Sequence, residues 1–241
     1  MNKLHLFSLL IIVSFSFQSC KNDCYEPEGS IITKQIQIAD FNKIEVLENI
    51  PVNITYGSSQ KVEVTGNENI INLLKPTISN GLWQVRMTEG CYEDYDLEIL
   101  VTIPNITRII STSSGNVSIS DYTNATGLTL TTNGNGQIDM SNCINIGTLS
   151  STINGNGDIN MNGNNTCTDA YITVNGNGRF RGFNLESENC TAEIKGNSDI
   201  EITVNNSLNA VIVGNGTISY KGNPSTITPD ITGNGEIIDA N

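Results

Sequence analysis

The sequence predicts an all-β fold: a single-stranded parallel β-helix, right-handed by the general preference of parallel crossovers, with about seven regular coils of roughly 20 residues behind an irregular β-rich N-terminal cap. Two observations carry this. A Gly-Asn corner recurs at a period near twenty, and two aliphatic columns keep fixed offsets from it. The corner Asn residues are Asn116, Asn135, Asn156, Asn177, Asn197, Asn215 and Asn234, in steps of 19, 21, 21, 20, 18 and 19. Three residues after each stand Ile119, Ile138, Ile159, Phe180, Ile200, Ile218 and Ile237; three before stand Ser113, Thr132, Ile153, Val174, Ile194, Ile212 and Ile231. Strands stacked in register would turn both columns into one core, because side chains alternate between faces with period two.

Each Asn follows a glycine: Gly115, Gly134, Gly155, Gly176, Gly196, Gly214 and Gly233. Glycine there accepts positive φ and close backbone approach, so the chain turns at the same place on each circuit. The Asn residues are expected to tolerate the left-handed region and to bond one another as an internal amide ladder. Two positions after the Asn, Asp158, Arg179 and Asp199 alternate in sign, which reads as a surface ladder helping to fix register. The Gly-Asn-Gly-Asp at Asn156 resembles a calcium nonapeptide repeat, but the period is about twice too long and the acid does not recur.

Residues 31–110 lack the glycine corner but alternate as short strands, at Ile36/Ile38, Ile44/Val46, Val52/Ile54, Val62/Val64, Trp83/Val85/Met87 and Leu97/Ile99/Val101/Ile103. Residues 69–76 offer one short helix, stopped by Pro76. Trp83 belongs to the core or cap, since its neighbours alternate with it. This section caps the first regular coil, whose strand edge would otherwise template aggregation. At the other end the last coil is protected either by self-association into a homo-oligomer or by short charged strands, and the sequence supports both equally. Residues 31–241 form one continuous domain, with 31–110 the cap and 111–241 the regular coils.

At the N-terminus, Met1-Asn-Lys3 precedes an apolar run from Leu4 to Phe17, a pattern of secretory signals that is too short for a usual membrane span. Ser19-Cys20 resembles a bacterial lipobox, which implies a signal over residues 1–19, lipidation of Cys20 and a polar tether over 20–30. The expected location is the cell envelope, anchored in the outer membrane, facing the periplasm or the exterior.

The formal net charge of −13 argues against nucleic acid or anionic headgroups as partners. Five further cysteines are disulfide candidates in an exported protein. Cys24 and Cys91, in the similar loops Asp-Cys-Tyr-Glu and Gly-Cys-Tyr-Glu, would clip the tether to the body; Cys143, Cys167 and Cys190 lie in variable connections, where neighbouring coils would bring two into bridging range and leave one thiol free. Among the five cysteines beyond Cys20 no pair has zinc-site spacing, and the one His lies in the signal, so no structural metal or cofactor is expected. The loop Tyr92, Glu93, Asp94, Tyr95 and Asp96 is by default a solvated acidic loop; a calcium or glycan contact is the sharper alternative.

Phe41-Asn-Lys-Ile-Glu-Val46, Val52-Asn-Ile-Thr-Tyr-Gly57, Val101-Thr-Ile-Pro104, the serial Gly-Asn-Gly corners and Tyr220-Lys-Gly-Asn-Pro224 resemble the putative auto-transporter adhesin head GIN domain family, over residues 38–239. Many members carry Ser-Gly-Ser-Gly at the corner where this chain has Asn. The resemblance implies a β-helical exported domain, often on a lipoprotein, with an adhesin role and no catalytic residues. The expected function is non-enzymatic: an envelope-anchored protein that binds a glycan or protein ligand. The alternatives are a polysaccharide-active β-helix enzyme and a purely structural envelope component. Asp139, Asp158, Asp199 and Glu236 are dispersed over the coils, whereas such an enzyme needs convergent carboxylates.

Overall fold

The computed structural model describes residues 24–112 and 114–241; the signal segment, Cys20, the start of the tether and Ser113 lie outside the described residues. In chain order the elements are β1 (Ile31–Gln35), β2 (Lys43–Val46), β3 (Val52–Tyr56), β4 (Lys61–Asn67), α1 (Glu68–Ile71), β5 (Ile78–Ser79), β6 (Leu82–Val85), β7 (Leu97–Ile103), β8 (Arg108–Ser111) and β9 (Asn116–Ser120). There follow β10 (Gly127–Gly134), β11 (Gln137–Ser141), β12 (Ile146–Gly155), β13 (Asp158–Asn162), β14 (Asn165–Gly176), β15 (Arg179–Gly196), β16 (Asp199–Gly214), β17 (Thr217–Lys221), β18 (Thr226–Gly233) and β19 (Glu236–Asp239).

Two parallel stacks face each other across one core. In one stack the register runs Ile99, Val52, Val117, Ile138, Ile159, Phe180, Ile200, Ile218 and Ile237, one residue per layer. All but Ile237, in the last layer, are buried. The facing stack runs Trp83, Ile44, Ile109, Leu130, Ser151, Ile172, Ala192, Ala210 and Pro229. Period-two alternation delivers these side chains inward, and each layer shields the one beneath from water, so no circuit is stable alone.

The corner glycines explain how consecutive circuits superimpose. Gly134, Gly155, Gly176, Gly196, Gly214 and Gly233 all have positive φ, between 119° and 140°. A Cβ on Gly176 would lie 2.4 Å from the Gly155 carbonyl oxygen, and one on Gly214 2.1 Å from that of Gly196. The same carbonyls accept the next circuit's Asn N–H, as in Asn177 N–H to Gly155 O at 3.0 Å. The left-handed requirement thus falls on glycine rather than on the corner Asn. Non-glycine residues that do adopt it stand elsewhere: Asn80, Asp94, Asp121, Asn124, Asn142 and Asn145.

The first Gly-Asn copy is out of step. Asn116 pairs with Gln137, and Val117 rather than Ile119 stands opposite Ile138. Ile119 packs beside Met140 instead, and Ser111 takes the place expected of Ser113, opposite Thr132. Gly115 and Asn116 therefore sit two residues away from the corner they resemble, because strand pairing, not the local tripeptide, sets register.

The N-terminal section supplies two layers of the same stack in an order that differs from chain order. β2 and β3 lie between β6 and β7 on one side and β8 and β9 on the other. The chain leaves after β3, runs through β4, which pairs antiparallel with β7, and returns as β6 and β7, the outermost of the parallel layers. β1 adds antiparallel to β4 and completes the cap. Trp83 is fully buried, tilted against Phe41 at 5.4 Å, with its indole N–H donating to the Lys75 carbonyl at 3.1 Å. Ile36 and Ile38, expected on a strand, pack against the core from the connection after β1.

At the opposite end β18 and β19 leave Ile227, Ile231 and Ile238 exposed. Pro229, which has no N–H to offer, and the acids Asp230, Glu236 and Asp239 lie on this edge, the usual devices against strand addition.

Candidate functional site

The acidic loop is organised by a clip. Cys24 and Cys91 form a disulfide, Tyr25 N–H donates to the Cys91 carbonyl at 2.8 Å and Glu93 N–H donates to the Tyr25 carbonyl at 3.1 Å. The Tyr25 and Tyr92 rings stack at 5.3 Å and Tyr95 tilts against Tyr92 at 5.5 Å. The Tyr92 hydroxyl donates to the Thr88 carbonyl. Burial first, then Tyr25 and Glu48 at Tyr92 and Glu48 at Tyr95, pushes both phenols above their ordinary range. Cys24, Cys91 and Glu93 cluster closely enough to suggest a metal, but the two sulfurs are bonded to each other, which leaves one carboxylate and no ligand set. Glu93, Asp94 and Asp96 are exposed. Tyr95 and Asp96 border an open cavity of about 510 Å³ with Asn49, Pro51, Glu98 and Asn116.

A second region escapes a reading of the corner alone. The outward face of the stack built from β8, β10, β12, β14, β15, β16 and β18 aligns Arg108, Thr129, Ser150, Tyr171, Thr191, Asn209 and Thr228 along the axis. A parallel column runs Gly127, Thr148, Asp169, Asn189, Ser207 and Thr226. Two shallow cavities follow these columns: one of about 350 Å³ at Lys43, Arg108, Thr129, Thr148 and Ser150, and one of about 180 Å³ at Asp169, Tyr171, Asn189, Thr191 and Asn209. Side-chain bonds order the second, with Asn189 donating to Asp169 at 3.0 Å and Ser207 donating to Asn189 at 2.8 Å. Tyr171 is 51% exposed in the middle of this polar face. Apart from Arg108, which the slip at Asn116 displaces, these positions lie six and eight residues before the corner Asn.

Three of the acids weighed for catalysis make bonds within the stack. Asp139 accepts from Gln137 at 2.7 Å and from Asn160 at 2.9 Å. Asp158 pairs with Arg181 at 2.8 Å rather than with the side chain of Arg179, whose guanidinium reaches Asp199 at 3.6 Å. The Arg179–Asp199 step of the charge ladder thus forms in register, while Asp158 reaches two residues further along the neighbouring strand; these solvent-accessible pairs contribute a few tenths of a kcal/mol each. The amide ladder exists but runs along the outside: Asn177 donates to Asn156 at 3.1 Å, Asn215 to Asn197 at 2.8 Å and Asn234 to Asn215 at 3.1 Å, all exposed. An unforeseen second ladder joins Asn133, Asn154 and Asn175, each step 2.9 Å.

The expected second disulfide does not form. Cys143, Cys167 and Cys190 are all free and buried. Cys167 stands between Ile146 and Ser187, and Cys190 between Ala170 and Leu208, so adjacent layers never place two of these thiols opposite each other. Burial pushes Cys167 up to about 12 and Cys190 further in the same direction.

Solved structures share this architecture. A crystal structure of a putative adhesin from Bacteroides fragilis NCTC 9343 superimposes with a TM-score of 0.77 at 22% identity, covering 88% of this chain and 98% of that one. A putative lipid binding protein from Parabacteroides distasonis ATCC 8503 gives a TM-score of 0.71 at 20% identity, with 89% and 99% covered. A putative adhesin from Parabacteroides merdae ATCC 43184 gives 0.70 at 21%, with the same coverage. At these identities the likeness is one of fold. No curated protein matches the chain. The model of one family matches residues 40–224, well over half of the sequence, and the chain belongs to that family, described as "Putative auto-transporter adhesin, head GIN domain".

Proposed function

We propose that this chain is a non-enzymatic adhesin-type binding domain, anchored in the cell envelope through a lipid on Cys20, that holds a glycan or protein ligand against the side of its stack. The outward face between Arg108 and Thr228 carries the reading: it is long, polar and shallow, it stands on a rigid multilayer core, and it displays an exposed Tyr171 among hydroxyl and amide groups. Such a face gains affinity from many modest contacts, and core-backed side chains lose little entropy on binding. Membership of an adhesin-type family supports the same reading. The engagement of Asp139 and Asp158 in bonds between layers weighs against the polysaccharide-active alternative, which needs free convergent carboxylates.

Attachment of cells expressing the full chain to glycan- and protein-coated surfaces, compared with a deletion strain, tests this reading. Attachment that depends on the chain supports it; release of shortened glycan product by the purified protein overturns it in favour of an enzyme. Palmitate labelling lost in Cys20→Ala, with protease shaving of intact cells, tests the anchor and its orientation.

A further inference from the structure

We infer that the outward groove is a binding site for an oligosaccharide ending in an acidic sugar, with the acid group held by Lys43 and Arg108 and neutral sugar units lying along Thr129 and Ser150 to Tyr171. The inference rests on the adhesive reading above and names the ligand class for it.

Charge distribution supplies the first observation. In a chain of net charge −13 with 12 Lys and Arg, five cations among the described residues pair with acids. Lys43, Arg86 and Arg108 do not: they converge on two adjoining cavities, both bordered by Lys43 and Arg108. The Lys43 ammonium donates to the Asn80 carbonyl at 3.2 Å, and Glu45 on the same face is engaged by Gln84 at 2.8 Å and Thr112 at 3.1 Å. Three cations beside one acid, Glu45, whose two oxygens are already engaged, keep a net positive charge that fits a carboxylate, with which arginine bonds bidentately. Remote acids do not cancel this attraction, since charges more than about 8 Å away are screened at physiological salt.

Geometry supplies the second. Arg108 and Tyr171 share one register column, separated by Thr129 and Ser150, hence by roughly 14 Å at the spacing of parallel strands. That is a span of several sugar units, lined by hydroxyls that donate and accept and ending in an aromatic ring. Asp169 beside Tyr171 excludes a second acid group at that end, while its carboxylate accepts from neutral hydroxyls. The site therefore selects one acid at one end and not a polyacid. The cavities lack an apolar pocket for anchoring peptide side chains, which favours sugar over an acidic peptide.

Calorimetric titration of the full chain with a sialylated lactosamine tetrasaccharide and its desialylated form tests this. The acid form should bind about ten-fold tighter or more. Lys43→Gln and Arg108→Gln should each remove most of that preference, bringing the two forms to similar affinity, whereas Tyr171→Ala should weaken both forms together. Arg108 and Tyr171 are exposed, and an unchanged melting curve confirms that the variants fold. Equal binding of the two forms, no binding of either, retention of the preference in Arg108→Gln, or equal binding of an acidic peptide would each overturn the inference. Chain-dependent attachment that Arg108→Gln leaves intact would overturn the ligand assignment alone; attachment that never depended on the chain would overturn the adhesive reading.

Discussion

The Asn156 side-chain amide donates to Oδ1 of Asn135 at 3.2 Å, one circuit earlier and 21 residues back in sequence. The bond is exposed, while directly beside it Gly155 stacks on Gly134 so closely that a Cβ would sit 2.7 Å from the Gly134 carbonyl oxygen. Asn and Gly recur together for different reasons, one a solvent-exposed bond and the other an obligatory lack of side chain.

That contrast sets unequal costs at neighbouring positions. Gly176→Ala, with φ 133° and a carbonyl 2.4 Å from the new methyl, should lower stability by at least about 2 kcal/mol. Asn177→Ala should cost about 0.5 kcal/mol, because water replaces the lost partner. Urea midpoints of the two variants check the order; a larger loss for Asn177→Ala would contradict it.

Thr132 lies in the inward column opposite Ile153, fully buried, and its hydroxyl has no hydrogen-bond partner. Thr132→Val keeps the shape and removes an unsatisfied group, so it should raise stability by about 1 kcal/mol. A lower urea midpoint in the variant would show that the hydroxyl has a partner after all.

The buried thiols should be inert in the folded chain. With Cys167 held near 12 and Cys143 and Cys190 also raised by burial, alkylation at pH 8 should modify none of the three until denaturant is added. The folded state keeps these protons beyond the ordinary thiol value of 9.0, so their contribution to stability is intact below about pH 9 and is lost as pH rises toward about 12. Melting temperature should fall across that window. Rapid alkylation of native protein would contradict the burial.

Reduction of Cys24–Cys91, which spans 67 residues, should cost about 2–4 kcal/mol in the cap. Hydrogen exchange should rise first around Tyr25 and Tyr92, while strands at Ile159 and Phe180 stay protected. Uniform loss of protection would mean that the cap and coils unfold as one unit.

The corners and both inward columns were legible in the sequence because glycine at Gly155 and isoleucine at Ile159 answer to constraints that repeat on every circuit. The insertion of β2 and β3 between later strands was not, since no turn residue marks those layers and only long-range pairing such as Ile44 with Ile109 sets their order. The two-residue slip at Asn116 had a further effect. Counting six back from Asn116 reaches Ile110, so Arg108, the cationic end of the outward column, stays hidden until Thr129 is seen to pair with it. Tyr171 and its neighbours went unread because a solvent-facing column keeps polarity but not residue identity. The Cys24 to Cys91 pairing was readable from two matching loops; the isolation of Cys167 from Cys190 depends on register within a single strand pair.

Cross-linking of positions that share a layer step tests the stack most directly. Thr152 pairs with Thr173, and Thr173 with Glu193, on the outward face. Under mild oxidation Thr152→Cys with Thr173→Cys should form an intramolecular disulfide, while Thr152→Cys with Glu193→Cys, two strand spacings or roughly 9.6 Å apart, should not. Failure of the first pair to close, or ready closure of the second, would contradict the in-register superposition of circuits.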